Sequence, residues 1–449
     1  MNKHTTNMTE GSPVRLLIVF AIPMMVGNIF QQFYNIVDSI IVGRLVGSDA
    51  LAAIGATGSV TFLFFALCNG IGSGGGIITS QYFGRGDTSG VKRCIMNTAY
   101  IMTVFPILVG TLAFFLAGPI LKLLSTPDAI MADALIYTRI MCIGLLFVSM
   151  YNFASAILRA LGDSRTPLLF LIFACILNTI LDLFFVYNLH MGVKGAGIAT
   201  VISQFASGVL CLAFAFKTNP YFKMSRNDLK IDPSMMSKTI RLGVPLSLQF
   251  SMIAISGMAM QRVVNTFGSM TVAAFTATNR IEQVIHQPYQ TLSAALATFV
   301  GQNYGAMKKK RMIEGFHKAM LLMTIFTLIM LPVIQLFGGQ ITSIFVKEAD
   351  VIEMGAKAMR ITSLFYLFLG LIYITRGVLN GIGDALFALI NGFVEVLGRL
   401  TVPILLTSIP VIGVWGIWWA SGIVWALSGI TAYMRYRGFY KRIMKTHEE

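Results

Sequence analysis

At 449 residues, 56% hydrophobic and only 12% charged, with a mean hydropathy of +0.75, the chain is too apolar for a set of soluble domains and belongs in a bilayer. Its net charge of +15 calls for no nucleic-acid partner, because basic loops beside anionic lipid account for it. Cys68, Cys94, Cys142, Cys175 and Cys211 lie in or near apolar stretches without CxxC spacing, and the five His are scattered without HExxH, which argues against disulfides, metal chemistry and an enzyme.

A membrane helix needs about 20 mostly apolar residues. Twelve windows qualify, beginning near Val14, Ala50, Cys94, Ala132, Pro167, Val193, Ser237, Val272, Met312, Val351, Leu386 and Val411. The first is too long for a signal-peptide core and lacks a small-residue cleavage site, so it is expected to be retained. Span one carries Asn28, Gln31, Gln32, Asn35 and Asp38 at intervals of three and four, a polar stripe that must line a helix interface or a water-filled substrate cavity. Asp38 needs a proton, a cation or a basic partner, and span one offers no basic residue to serve.

In span two the run GIGSGGG, Gly70 to Gly76, lacks a following GK[ST] and predicts close helix packing or a kink rather than a phosphate loop. With no nucleotide site, any pumping must run on an ion gradient. Span five places Asn178 and Asp182 four apart on one face. Two carboxylates close together in low dielectric cannot both stay charged cheaply, so such a pair is expected to hold a proton or a hard cation. After span six, the polar stretch 218–236, with Pro220 and Pro233, reads as a cytoplasmic linker between residues 1–217 and 237–449.

Span eight holds Arg280 and Glu282, and span eleven holds Glu395 and Arg399 at a spacing that allows a salt bridge. The alternative is that Glu282 or Glu395 faces the substrate cavity and attracts cations. The abundant Phe and Met suit adaptable cavity walls as well as lipid-facing packing.

Four blocks recur at a constant offset of 221 residues: GSDALAAIGAT at Gly47 and GSMTVAAFTAT at Gly268, QYFG at Gln81 and QNYG at Gln302, LRALGD and LNGIGD ending at Asp163 and Asp384, GVKG at Gly192 and GVWG at Gly413. One register held across four blocks means two homologous halves of six spans each. Asp182 aligns with Pro403, and Asp38 with the region of Ala259 and Met260, so the acids form an asymmetric site in a symmetric scaffold. Basic residues concentrate in alternate connections: Arg85, Lys92 and Arg93; Arg159 and Arg165; Lys217 through Arg241; Lys308 through Lys318; and Arg376. Lys3 and Arg15, with Arg435 through Lys445, join the same side, so both termini are expected in the cytoplasm.

The run from Gln31 to Ala53, QQFYNIVDSIIVGRLVGSDALAA, with Pro23 and Pro245, QNYGA and LRALGDSRTP, resembles the multidrug and toxic compound extrusion (MATE) family over essentially the whole chain. The resemblance implies an all-α integral membrane protein of twelve transmembrane helices in two six-helix lobes. It also implies a first-lobe site for H+ or Na+ at Asp38, Asn178, Asp182 and Thr200, and a conformational hinge at Pro23. Leu369 and Gly370 stand where another branch carries an acid in span ten. The implied function is antiport without a cofactor, exporting organic cationic or amphipathic compounds through the plasma membrane, in a bacterium the inner membrane. Membrane lipids and small-molecule substrates are the expected partners, and a monomer suffices. A lipid-linked saccharide flippase of the wider superfamily is the alternative.

Overall fold

The computed structural model describes residues 5–124 and 126–445, and among these it is helical throughout, with no strand. Lys3 lies outside the described residues, as do the side chains of Arg442 and Lys445. In chain order the helices are α1 (Pro13–Leu45), α2 (Ser48–Arg85), α3 (Thr88–Leu123), α4 (Asp128–Ala160), α5 (Arg165–Asp182) and α6 (Gly192–Thr218), then α7 (Pro233–Asn265), α8 (Ser269–Gly305), α9 (Lys309–Ser343), α10 (Ala349–Ser363), α11 (Tyr366–Ile382), α12 (Ala385–Thr407) and α13 (Gly416–Lys445). A π-helical stretch, Leu183–Asn188, continues α5 beyond Asp182.

Ten helices are individually long and apolar enough to cross a bilayer, and α10 with α11, bent by 53°, pass together as an eleventh. The twelfth span is α8, 37 residues long but interrupted by Arg280, Glu282, Gln283, His286, Gln287 and Gln290. The chain is thus a multi-pass membrane protein of twelve helical spans. Along α12 the exposed residues Leu386, Ile390, Phe393, Leu397, Leu400 and Ile404 recur every three or four positions. They form the apolar stripe that a lipid-facing helix requires. Arg376, counted above among the basic loops, is a correction: it is buried within α11, because the bent pair reaches farther along the chain than one straight span would.

By contacts the chain separates into two units, Ile22–Ser251 with the segment ending at Asn7, and Met252–Glu449 with Met8–Ala21. The first unit keeps the polar stretch after α6. Lys92 Nζ donates to the Lys223 carbonyl at 2.6 Å, Tyr100 Oη to that of Leu229 at 2.8 Å, and Asn97 Oδ1 accepts from Asp232 N at 2.8 Å. Within this stretch Asp228 accepts from Ser225 Oγ and N, at 2.6 and 2.8 Å, and those bonds, helped by Lys92 and Arg93, hold its carboxyl below the usual range. The second unit receives the segment before α1. Met8 is fully buried there, its N–H donates to Gln302 Oε1 at 2.8 Å, and Arg311 donates to the Gly11 carbonyl at 2.6 Å.

The glycine run of α2 is a packing surface. A Cβ on Gly74 would sit 2.7 Å from Gly243 N, and one on Gly70 2.2 Å from Ser247 N, so only glycine lets α2 and α7 approach backbone to backbone. The internal repeat is equally visible in the backbone. Gly47 and Gly268, Gly162 and Gly383, and Gly192 and Gly413 all carry positive φ, each pair 221 residues apart. A fourth pair breaks the pattern: Gly86 has φ 77°, and its counterpart Met307 has φ 58°. A side chain in the left-handed region costs about 1–2 kcal/mol. Met307→Gly is therefore expected to raise stability by up to about 1 kcal/mol, after the entropy glycine adds to the unfolded chain. An unchanged or lowered midpoint of thermal unfolding in detergent would count against that strain.

Candidate cation-coupling site

Helices α1, α4, α5 and α6 bring the first-unit site together. Asp163 starts α5, accepting from Arg165 N and Thr166 N, both at 3.0 Å, and from Thr166 Oγ1 at 2.6 Å. Its neighbour Gly162 has φ 84°, and a Cβ there would fall 2.2 Å from the Thr6 carbonyl oxygen. The LRALGDSRTP run is thus a turn and cap that aim α5 inward. Near the far end of α5, Asn178 and Asp182 are fully buried, and the helix widens into its π stretch directly after Asp182. Such departures from the α ladder recur at functional sites.

The side chains of Asp38, Asn178, Asp182 and Thr200 form one constellation. The Asp38 and Asp182 carboxyls lie within hydrogen-bonding reach of each other. The Asn178 amide satisfies its neighbours in one orientation: its nitrogen donates to Asp182 Oδ2 at 2.6 Å, and its oxygen accepts from Thr200 Oγ1 at 3.3 Å and Thr200 N at 3.1 Å. Asp38 Oδ1 and Asp182 Oδ1 are buried and have no hydrogen-bond partner among the described residues. Two carboxylate anions repel at this range, so the pair needs a proton or a cation between them. Beside it, Ile41, Val42, Tyr137, Met141, Val186 and Val193 pack into an apolar cluster that closes one side against water.

Two residues that sequence reading passed over complete the site. Tyr34 Oη lies 3.3 Å from Thr200 Oγ1, and buried Tyr137 stands beside both carboxyls. Tyr34 is one turn before Asp38, and that i, i+4 spacing was a usable signal obscured by its aromatic ring. Tyr137, from α4, had no such signal.

The remaining polar stripe of α1 does not converge on the acids. Asn28, Gln31 and Gln32 are half-buried, and Asn35 is exposed, its carbonyl accepting from Ser39 Oγ at 2.8 Å. Pro23 lies inside α1, just beyond the point at Ala21 and Ile22 where the helix passes from one unit to the other.

In the second unit the expected pairing of Glu395 with Arg399 is corrected. Glu395 Oε1 instead accepts from Arg376 at 2.5 Å, and Ser428 Oγ donates to it at 3.2 Å, while Arg376 Nε donates to Asn391 Oδ1 at 2.8 Å. The preference is one of reach. Arg376 enters from α11, across the helix interface, whereas Arg399 forms no ion pair among the described residues and its buried Nε has no hydrogen-bond partner there. Glu282 is buried on α8, and its Oε1 has no hydrogen-bond partner among the described residues.

Two stretches, residues 23–184 and 245–404, match the model of the MatE family. The chain is 29% identical over 444 residues to the Probable multidrug resistance protein YpnP of Bacillus subtilis, covering 99% of each chain. To the Multidrug export protein MepA of Staphylococcus aureus it is 22% identical over 428 residues, covering 95% of this chain and 94% of the other. Among solved structures, MATE in the bent conformation shares the fold, with a TM-score of 0.91 at 24% identity over 99% of this chain and 100% of that one.

Proposed function

The chain belongs to the MatE family of multidrug efflux transporters, a family of transporters rather than enzymes, and from that premise we propose that it is a cation-coupled antiporter. It exports organic, cationic or amphipathic compounds from the cytoplasm across the plasma membrane, with both termini cytoplasmic. The observation that carries this reading is the pair of half-buried Asp38 and buried Asp182, whose Oδ1 atoms are both buried and which has no basic partner among the described residues, so that it binds a cation of its own. We take that cation to be a proton, because two carboxyls within hydrogen-bonding reach can share one. Asn28, Gln31, Gln32 and Asn35 then line the substrate path ahead of the acids, and Pro23 lets α1 bend as the site is filled and emptied.

The cycle is exchange. The ion occupies the carboxyls while the cavity faces outward and leaves as it opens inward, and the emptied site lets the next substrate be carried out. A lipid-linked saccharide flippase finds no support among the relatives, which are named for multidrug resistance and export.

Efflux of a fluorescent organic cation from proteoliposomes, under an imposed pH or sodium gradient, tests the proposal. The pH gradient is expected to drive transport and the sodium gradient not, and Pro23→Ala is expected to slow it. Transport under neither gradient would overturn antiport. A sodium-driven signal would replace the proton, and full activity in Pro23→Ala would remove the hinge.

A further inference from the structure

In the first unit a cleft of about 480 Å³ opens where the polar stretch after α6 meets the start of α3, lined by Ser89 and Arg93 of α3 and by Asn227, Lys230, Ile231 and Asp232 of the stretch. Asn97 of α3 frames it, donating to the Lys230 carbonyl at 3.3 Å and accepting from Asp232 N at 2.8 Å. The acids around the cleft are already engaged. Asp232 Oδ1 accepts from Met235 N at 3.1 Å and so caps α7, Asp228 Oδ2 is held by Ser225 N and Oγ, and Asp87 Oδ1 accepts from Gly90 N at 2.8 Å. Arg93 and Lys230 have no such duty. Among the described residues neither forms an ion pair, and the buried Arg93 Nε has no hydrogen-bond partner. A buried donor on a cation is costly until an acceptor reaches it.

The internal repeat shows that the scaffold does not require these two cations. At the offset of 221 residues, Glu314 stands in the second half where Arg93 stands in the first, and Lys230 corresponds to Thr9. The cations of the second unit are instead consumed by backbone: Lys308 Nζ donates to the Thr9 carbonyl at 2.9 Å, and Arg311 to those of Met8 and Gly11. In the first unit Lys92 does the same work on the Lys223 carbonyl, which leaves Arg93 and Lys230 to a ligand.

We infer that this cleft binds a phosphate group, with Arg93 and Lys230 as its charged donors and the Ser89 hydroxyl and Asn227 amide beside them. A guanidinium and an ammonium in one cleft match the charge and the several acceptor oxygens of a phosphate. The volume exceeds what a bare phosphate fills, so the group is an ester. Leu229 and Ile231, 44% and 66% exposed, place apolar side chains on either side of Lys230, which favours the headgroup of an anionic phospholipid over a soluble phosphoester. Such binding needs neither gradient nor substrate, so it is measured apart from transport.

Native mass spectrometry of the full-length protein with phosphatidylglycerol, beside thermal unfolding with added glycerol 3-phosphate, tests the site and separates the two sources. Arg93→Gln/Lys230→Gln is expected to lower the affinity for phosphatidylglycerol roughly tenfold, the scale of one charge-assisted hydrogen bond. Arg226→Gln, on the same stretch but outside the cleft, is expected to leave it unchanged. If glycerol 3-phosphate raises the unfolding midpoint of the wild type and not of the double variant, while both bind phosphatidylglycerol alike, the phosphate site stands and its ligand is soluble. Equal binding of both ligands by wild type and double variant, or an equal loss in Arg226→Gln, would overturn the site. Should the double variant fail to fold, Lys230→Glu alone, at an exposed residue, decides: undiminished affinity for both ligands would overturn the site as well.

Discussion

Asp182→Asn is expected to abolish gradient-driven accumulation while leaving the protein folded and inserted. The substitution preserves shape and an oxygen for the Asn178 nitrogen, which now donates to Asp182 Oδ2 at 2.6 Å, but it removes the group that takes up and releases an ion. The size of the loss follows from the drive. In a one-for-one exchange each pH unit supplies about 1.4 kcal/mol, enough for roughly a tenfold substrate ratio. An uncoupled carrier sustains a ratio of about one. Asp38→Asn should act alike, since the two carboxyls form one site. Both variants in proteoliposomes, under one unit of pH difference and normalised to inserted protein, check this. A ratio still near the wild-type value in either would place coupling elsewhere.

Arg376→Leu is expected to act on stability rather than on coupling. It strands the Glu395 carboxylate, 9% exposed, and leaves Asn391 Oδ1 without its Arg376 donor. Breaking a buried pair by removing one partner costs about 3–5 kcal/mol, so little inserted protein should survive. The double variant Arg376→Leu/Glu395→Leu removes both charges and is expected to recover much of that loss, because no bare charge then remains in the interior. Thermal unfolding of the two singles and the double in detergent gives the coupling directly. Additive losses would show that the pair is not a unit.

The same two acids mark where sequence reading stops. The twelve spans, the two like halves and the shared face of Asn178 and Asp182 were legible in one dimension, whereas Thr200 and its grouping with Asp38, Asn178 and Asp182 came only through the family resemblance. Apolar length, the 221-residue register and i, i+4 spacing are local or periodic, and the lipid environment leaves few backbone solutions. Even the glycine run of α2 declared its role through the absence of a phosphate-loop ending.

Partner choice was not legible. Glu395 and Arg399, four apart on one helix, satisfied every local rule for a pair, yet Arg376 from another helix took the carboxylate and left Arg399 Nε with no partner among the described residues. Tyr137 reached the acids from α4, and the segment around Met8 was buried with helices more than 290 positions away. A side chain's neighbours along the helix follow from a fixed geometric period, whereas its neighbours across an interface depend on how whole helices tilt, bend and interdigitate. The first quantity is carried by spacing alone; the second is set only when every span packs at once.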